Sequence, residues 1–137
     1  MKTKPVLVAD DVKTIIQAAS RYAQEHDWRV TISVVDDGGH LLGMLRLDGA
    51  SPMTATISPG KARTAALGRH ESSHYEESIN SGRYAYLSVP MPVMLEGGVP
   101  IVVDGEVIGA VGVSGVKSTQ DVEIGKAGIA ALMTAQR

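Results

Sequence analysis

Cysteine is absent from the 137 residues, which excludes disulfides, thiolate metal centres and a cysteine nucleophile. Phenylalanine is absent as well and there is a single tryptophan, so the core has to be built from Val, Ile, Leu, Ala and Met. Basic charge is in no excess: 13 Lys and Arg face 15 Asp and Glu, for a net charge of −2. The basic stripe that a general nucleic-acid surface requires is therefore missing. No apolar run approaches the roughly 18 residues that span a bilayer. The opening MKTKPVLVADD reaches its acids before it builds a signal-peptide core. The expectation is a cytoplasmic chain forming one domain over residues 1–137, with no nucleic-acid or membrane partner.

Apolar residues make up 44% of the chain, enough for a sizeable core. The stretch LEGGVPIVVDGEVIGAVGVSG (Leu95–Gly115) organises the rest. Ile101-Val102-Val103 is a short apolar strand, and Asp104-Gly105 is a two-residue turn of the type I′ kind, with φ positive at both positions. The return strand has period two. It predicts Val107, Val111 and Val113 on one face and Ile108, Ala110, Gly112 and Ser114 on the other. The second face is nearly flat and invites close approach by a helix. Val30, Ile32, Val34, Val107, Val111 and Val113 are the expected core.

Asp10 or Asp11 is a candidate cap for a first helix ending near His26-Asp27, with Val12, Ile15, Ile16, Ala19 and Ala23 at helical spacing. Val30, Ile32 and Val34 alternate with Thr31 and Ser33, predicting a half-buried strand. Asp36 to Gly39 turns the chain into a partner strand from His40 to Leu47. Ser51-Pro52 opens a second helical region. Ser58-Pro59 restarts it, with Ser58 as cap and Pro59 at the first helical position, and Gly68 stops it. Ser73 and Glu76 have capping-box spacing, predicting a short helix from about His74 to Asn80. Ser118 and Asp121 have the same spacing ahead of a last helix that runs to about Ala135. Helices and two hairpins in this order predict an α+β fold with helices over an antiparallel sheet.

Three stretches together carry a family resemblance: VTISVVDDGGHLLGMLRLDGA (Val30–Ala50), PGKARTAALG (Pro59–Gly68), and Leu95–Gly115 followed by Gln120-Asp121. In this order they resemble the GlcG/HbpS family, which includes the C-terminal domain of PduO-type proteins. The resemblance implies a profilin-like or Roadblock-like fold with a five-stranded antiparallel sheet and flanking helices. It also implies homo-oligomers, and haem binding in some members.

His70-Glu71-Ser72-Ser73-His74 matches the H-E-x-x-H zinc pattern, but that chemistry needs both imidazoles on one continuous helix. The stop at Gly68 and the cap at Ser73 put a break at Arg69–Ser72, so the stretch is taken as an inter-helix corner and no metal site is assigned. His40 is expected at an exposed strand start, and His26 at a helix C-terminus, where a cation suits the dipole. No catalytic set emerges, since Asp36, Asp37, Asp104 and Asp121 all occupy turns or caps. The expected site lies instead around Glu96-Gly97-Gly98, the start of the Lys61 helix and the Tyr75 helix, with Arg46 reaching in from the first hairpin. Gly97-Gly98 leaves room and free N–H donors. Lys61 and the first helical turn favour an anion. The loop with Tyr84, Tyr86, Met91 and Met94 offers either a ligand wall or a subunit interface. The ligand is haem, through its propionates, or a small organic acid. The expected function is a ligand-binding, homo-oligomeric accessory protein. The alternatives are an enzyme on a small hydroxy or oxo acid, and a structural accessory subunit. On this reading Gly98→Val blocks the ligand and spares the fold.

Overall fold

The computed structural model describes residues 1–136. Its elements are α1 (Ala9–Glu25), β1 (Thr31–Asp36), β2 (Leu41–Arg46), α2 (Thr54–Gly68), α3 (Ser73–Asn80), a 3-10 turn (Tyr84–Ser88), β3 (Gly98–Val103), β4 (Glu106–Ser114) and α4 (Ser118–Ala135). The fold is α+β, and all strand pairs are antiparallel. The sheet has four strands among the described residues, in the order β2-β1-β4-β3, not the five that the resemblance implied. Two hairpins account for all four. The extended residues before α1 bury Leu7 in the core without joining the sheet.

Asp104 and Gly105 have φ of 51° and 78°, which is the type I′ geometry expected between β3 and β4. α1 and α4 pack on each other and on one face of the sheet, where Ile15, Ala19, Ile32, Val34, Val111, Val113 and Ile124 form the main core. α2 covers the other face.

Expected alternation along β4 fails at one point. Ile101 pairs with Gly109 while Val102 pairs with Val107, so Ile108 is an extra residue in β4. This bulge moves Ile108 onto the face of Val111 and Val113, where it is buried in the main core, and leaves Val107 half-buried. The other five expected core valines and isoleucines are fully buried.

β1 also departs from expectation. Thr31 and Ser33 are as buried as Ile32 and Val34, because α2 lies over them. The polar side of β1 meets hydroxyls instead of water: Thr31 Oγ1 lies 2.7 Å from Thr54 Oγ1, and Ser33 Oγ lies 2.8 Å from Ser58 Oγ. Ser58 Oγ also donates to the Gly112 carbonyl at 2.8 Å. Ser58 is therefore not a cap, and α2 runs unbroken through Pro59. The hydroxyl expected to begin a new helix is committed to the sheet.

The remaining caps shift similarly. Asp11 Oδ2 accepts the Val8 N–H at 2.9 Å, so α1 is closed by its third residue. α2 ends at Gly68 as expected, with Arg69 in the left-handed region at φ 60°. Ser73 is the first residue of α3, so its expected capping box with Glu76 does not form. Glu76 Oε2 instead accepts the Glu96 N–H at 3.0 Å and ties α3 to the loop before β3. At α4 the Lys117 N–H goes to Gln120 Oε1 at 3.2 Å, which frees Asp121 for another role.

Candidate functional site

A cavity of about 290 Å³ opens where the beginnings of α2 and α4, the end of β4 and the loop before β3 converge. Lys61, Glu76, Glu96, Ser114, Ser118 and Asp121 line it. Lys61 and Asp121 lie 60 residues apart, on different helices, and are 4% and 2% exposed. Lys61 Nζ donates to Asp121 Oδ2 at 2.9 Å and to the Val113 carbonyl at 2.9 Å. Asp121 Oδ1 accepts the Val116 N–H at 3.2 Å. An ammonium carries three N–H donors, so one remains beyond these two bonds.

Burial raises the Asp121 carboxyl to about 6, against the opposing pull of the Lys61 ammonium and the Val116 N–H; Glu96 adds to the rise. The folded protein therefore holds this proton more tightly than the unfolded chain does. That stabilisation is complete below about pH 4, the ordinary carboxylate range, and is lost as pH rises through about 6. Wild type should lose on the order of 2 kcal/mol between about pH 4 and pH 7 relative to Asp121→Asn, which does not titrate. Urea denaturation at the two pH values measures the difference. A wild type that gains on the variant would mean that the ion pair outweighs burial.

Of the expected site residues, Lys61 and Glu96 line this cavity together. Gly97 does not line it but packs against Lys61: at φ 135°, a Cβ there would lie 2.7 Å from Lys61 Nζ. Gly98 is a packing position, since its Cβ would lie 2.1 Å from the Lys61 carbonyl oxygen. Its N–H is already taken by Ser72 Oγ at 2.7 Å. Tyr75 is buried behind Gly68, with its hydroxyl 3.3 Å from the Gly68 carbonyl, and does not line the cavity. Arg46 is exposed at the end of the edge strand β2 and does not reach it either. Asp121 is the residue that sequence reasoning missed. Its spacing from Ser118 matched a cap, and only the one-residue shift of the α4 start releases it. The cavity therefore holds three carboxylates, Glu76, Glu96 and Asp121, against one ammonium.

A second concavity, an open groove of about 450 Å³, lies beside α3 and the segment after it. His74, Glu77, Ser78, Arg83 and Tyr86 line it. At 100° per residue, His74, Glu77 and Ser78 share one face of α3 and Glu76 points from the opposite one, so α3 separates groove from cavity. The break at Arg69–Ser72 is present, and the ring of His70 within it stacks on that of His74 in α3 at 4.4 Å. The Arg83 guanidinium sits 5.6 Å from the centre of the Tyr86 ring. His26 and His40 are both exposed, and His26 ends α1 stacked on Trp28 at 4.5 Å. No helix among the described residues is long and apolar enough to cross a membrane.

Comparison with known proteins places this geometry in a lineage. GlcG of Escherichia coli strain K12 is 54% identical over 114 residues, covering 83% of this chain and 85% of that protein. A crystal structure of a double mutant of Streptomyces reticuli HbpS superposes with a TM-score of 0.87 at 26% identity, over 96% of this chain and 90% of that one. The crystal structure of the PduOC:haem complex matches with a TM-score of 0.83 at 27% identity, over 93% and 95% of the two chains. The family model described as haem degrading protein HbpS-like matches residues 7–130, and with nearly the whole fold inside that span the chain belongs to the HbpS-like family.

Proposed function

We propose that this chain is a haem-binding, homo-oligomeric accessory protein, with the haem held in the groove beside α3. The observation that carries this reading is the convergence of His74, Arg83 and Tyr86 on one concavity. An imidazole is an iron ligand, a guanidinium pairs with a propionate, and a phenol ring offers an apolar face to a macrocycle. The residues fit haem in kind, and the relative solved as a haem complex has the same fold. The Lys61 cavity suits haem less well: about 290 Å³ is at the lower bound for drug-sized ligands, and its carboxylates oppose propionates.

Oligomerisation is part of the same reading. His74 and Arg83 are exposed, and Tyr84 and Leu87 nearby are 67% and 70% exposed. A groove this open needs a second wall to exclude water from a haem, and an apolar rim suits a second copy of the chain. Titration with hemin should give a saturable Soret shift near one haem per chain. His74→Ala should weaken binding by more than the roughly 10–100-fold that follows loss of an outer-shell partner. Sedimentation of the same samples should give an assembly larger than one chain. Absence of saturation, or unchanged affinity in His74→Ala, overturns the assignment.

The Lys61 cavity supports a second reading, binding of a small molecule at Lys61 and Glu96, next to Gly97. Its excess of carboxylates favours an uncharged compound over a small acid.

A further inference from the structure

We infer that Lys61 is a carbonyl-capturing amine, forming an imine with a small uncharged aldehyde or ketone that enters the cavity between α2, α4 and the loop before β3. The inference rests on the small-molecule reading of that cavity and is independent of the haem groove.

Three observations carry it. First, Lys61 is buried yet lines the cavity, and the two hydrogen bonds of its nitrogen, to Val113 and Asp121, need two N–H groups. A neutral amine keeps both and has its lone pair left for the cavity side. Second, Gly97 packs against that nitrogen without a side chain: a Cβ there would lie 2.7 Å from both Lys61 Nζ and the Val113 carbonyl oxygen, so a larger residue would displace the amine from its place. Third, a proton acceptor is in contact: Asp121 Oδ2 lies 2.9 Å away, and its carboxyl is raised to a range in which it both takes and returns a proton near neutrality. The charge of the lining selects the ligand. Glu76 and Glu96 repel an anion, and Ser114 and Ser118 offer hydroxyls to a neutral polar molecule.

The step balances without any further reactant. The Lys61 ammonium gives the proton of its Asp121 hydrogen bond to that carboxylate, a turn about the Cε–Nζ bond brings the freed lone pair to the cavity side, and the lone pair bonds to the carbonyl carbon. The carbonyl π electrons move to oxygen, which takes a proton from the nitrogen to give a carbinolamine. Asp121 then returns its proton to the hydroxyl, water leaves, and the nitrogen lone pair closes the C=N bond. The products are a protonated imine, an ionised Asp121 and one water.

The test is reductive trapping of wild-type protein with acetaldehyde and cyanoborohydride, mapped by peptide mass spectrometry. Lys13 and Lys117, both exposed, are internal references. Lys61 should be alkylated at least about tenfold faster than either in the folded protein, and this preference should vanish in urea. Asp121→Asn should slow labelling of Lys61 and leave Lys13 unchanged. Glyoxylate, an anionic aldehyde, should show no preference for Lys61. Alkylation of Lys61 slower than of the exposed lysines, as in a sealed structural strut, overturns the inference. If wild type forms no adduct while acetaldehyde alone still raises the melting temperature of both wild type and Lys61→Met, the imine falls and the small-molecule reading stands.

Discussion

Gly98→Val should unfold the protein, not merely empty a site. A Cβ at this position would lie 2.1 Å from the Lys61 carbonyl oxygen and 2.8 Å from its carbonyl carbon. Both atoms belong to the backbone of α2, so no side-chain rotation relieves the contact. Opposite Gly98 in the ladder stands Gly112, where a Cβ would meet the Ser58 carbonyl oxygen at 2.1 Å and the Ala62 nitrogen at 2.5 Å. The two glycines form a flat seat for one turn of α2, and the buried hydroxyl and lysine contacts depend on that close approach. A side chain here must lift the helix off the sheet. The cost should exceed the about 1–3 kcal/mol of ordinary overpacking. Urea denaturation measures it. A variant within about 1 kcal/mol of wild type would show that α2 shifts freely, contrary to this packing.

Ile32→Ala should be the most damaging simple truncation. Ile32 is fully buried in β1, paired with Leu45 on one side and Val113 on the other. It lies in the same core cluster as Ile15, Val111 and Ile124, so α1, α4 and both central strands surround it. Removing three carbons there leaves a void that close-packed neighbours fill only partly, for a loss of about 2–5 kcal/mol. A loss below about 1 kcal/mol would mean that the core collapses around the gap. Val107 is the contrast, since the bulge at Ile108 has turned it away from that core.

The architecture was largely readable from local chemistry. The Asp104-Gly105 turn, the Gly68 stop, the break ahead of α3 and the alternation of Val30, Ile32 and Val34 each depend on neighbours within a few positions. Local rules failed where a polar side chain had two suitors. Ser58, Glu76 and Asp121 all sit at capping distances, and all three instead bond across the fold, to β1 and β4, to the Glu96 backbone, and to Lys61.

The sequence by itself determined the class of fold, because hairpin turns, helix stops and hydrophobic periods are set by backbone sterics within single segments. It also contained the glycine seat for a helix, since a strand bearing Gly112 and Ala110 has no side chains to hold one off. Tertiary structure alone decided three things. It decided that both faces of β1 are buried, because nothing in Thr31 and Ser33 says whether water or α2 will meet them. It decided the strand register around Ile108, because a bulge depends on the partner strand. And it decided the character of the cavity. Lys61 looked like a free cation for an anionic ligand. A carboxylate 60 residues away, brought within 2.9 Å by the packing of α4 against the sheet, makes it half of a buried pair. Charge balance at such a site is a sum over distant residues, and no window along the chain contains that sum.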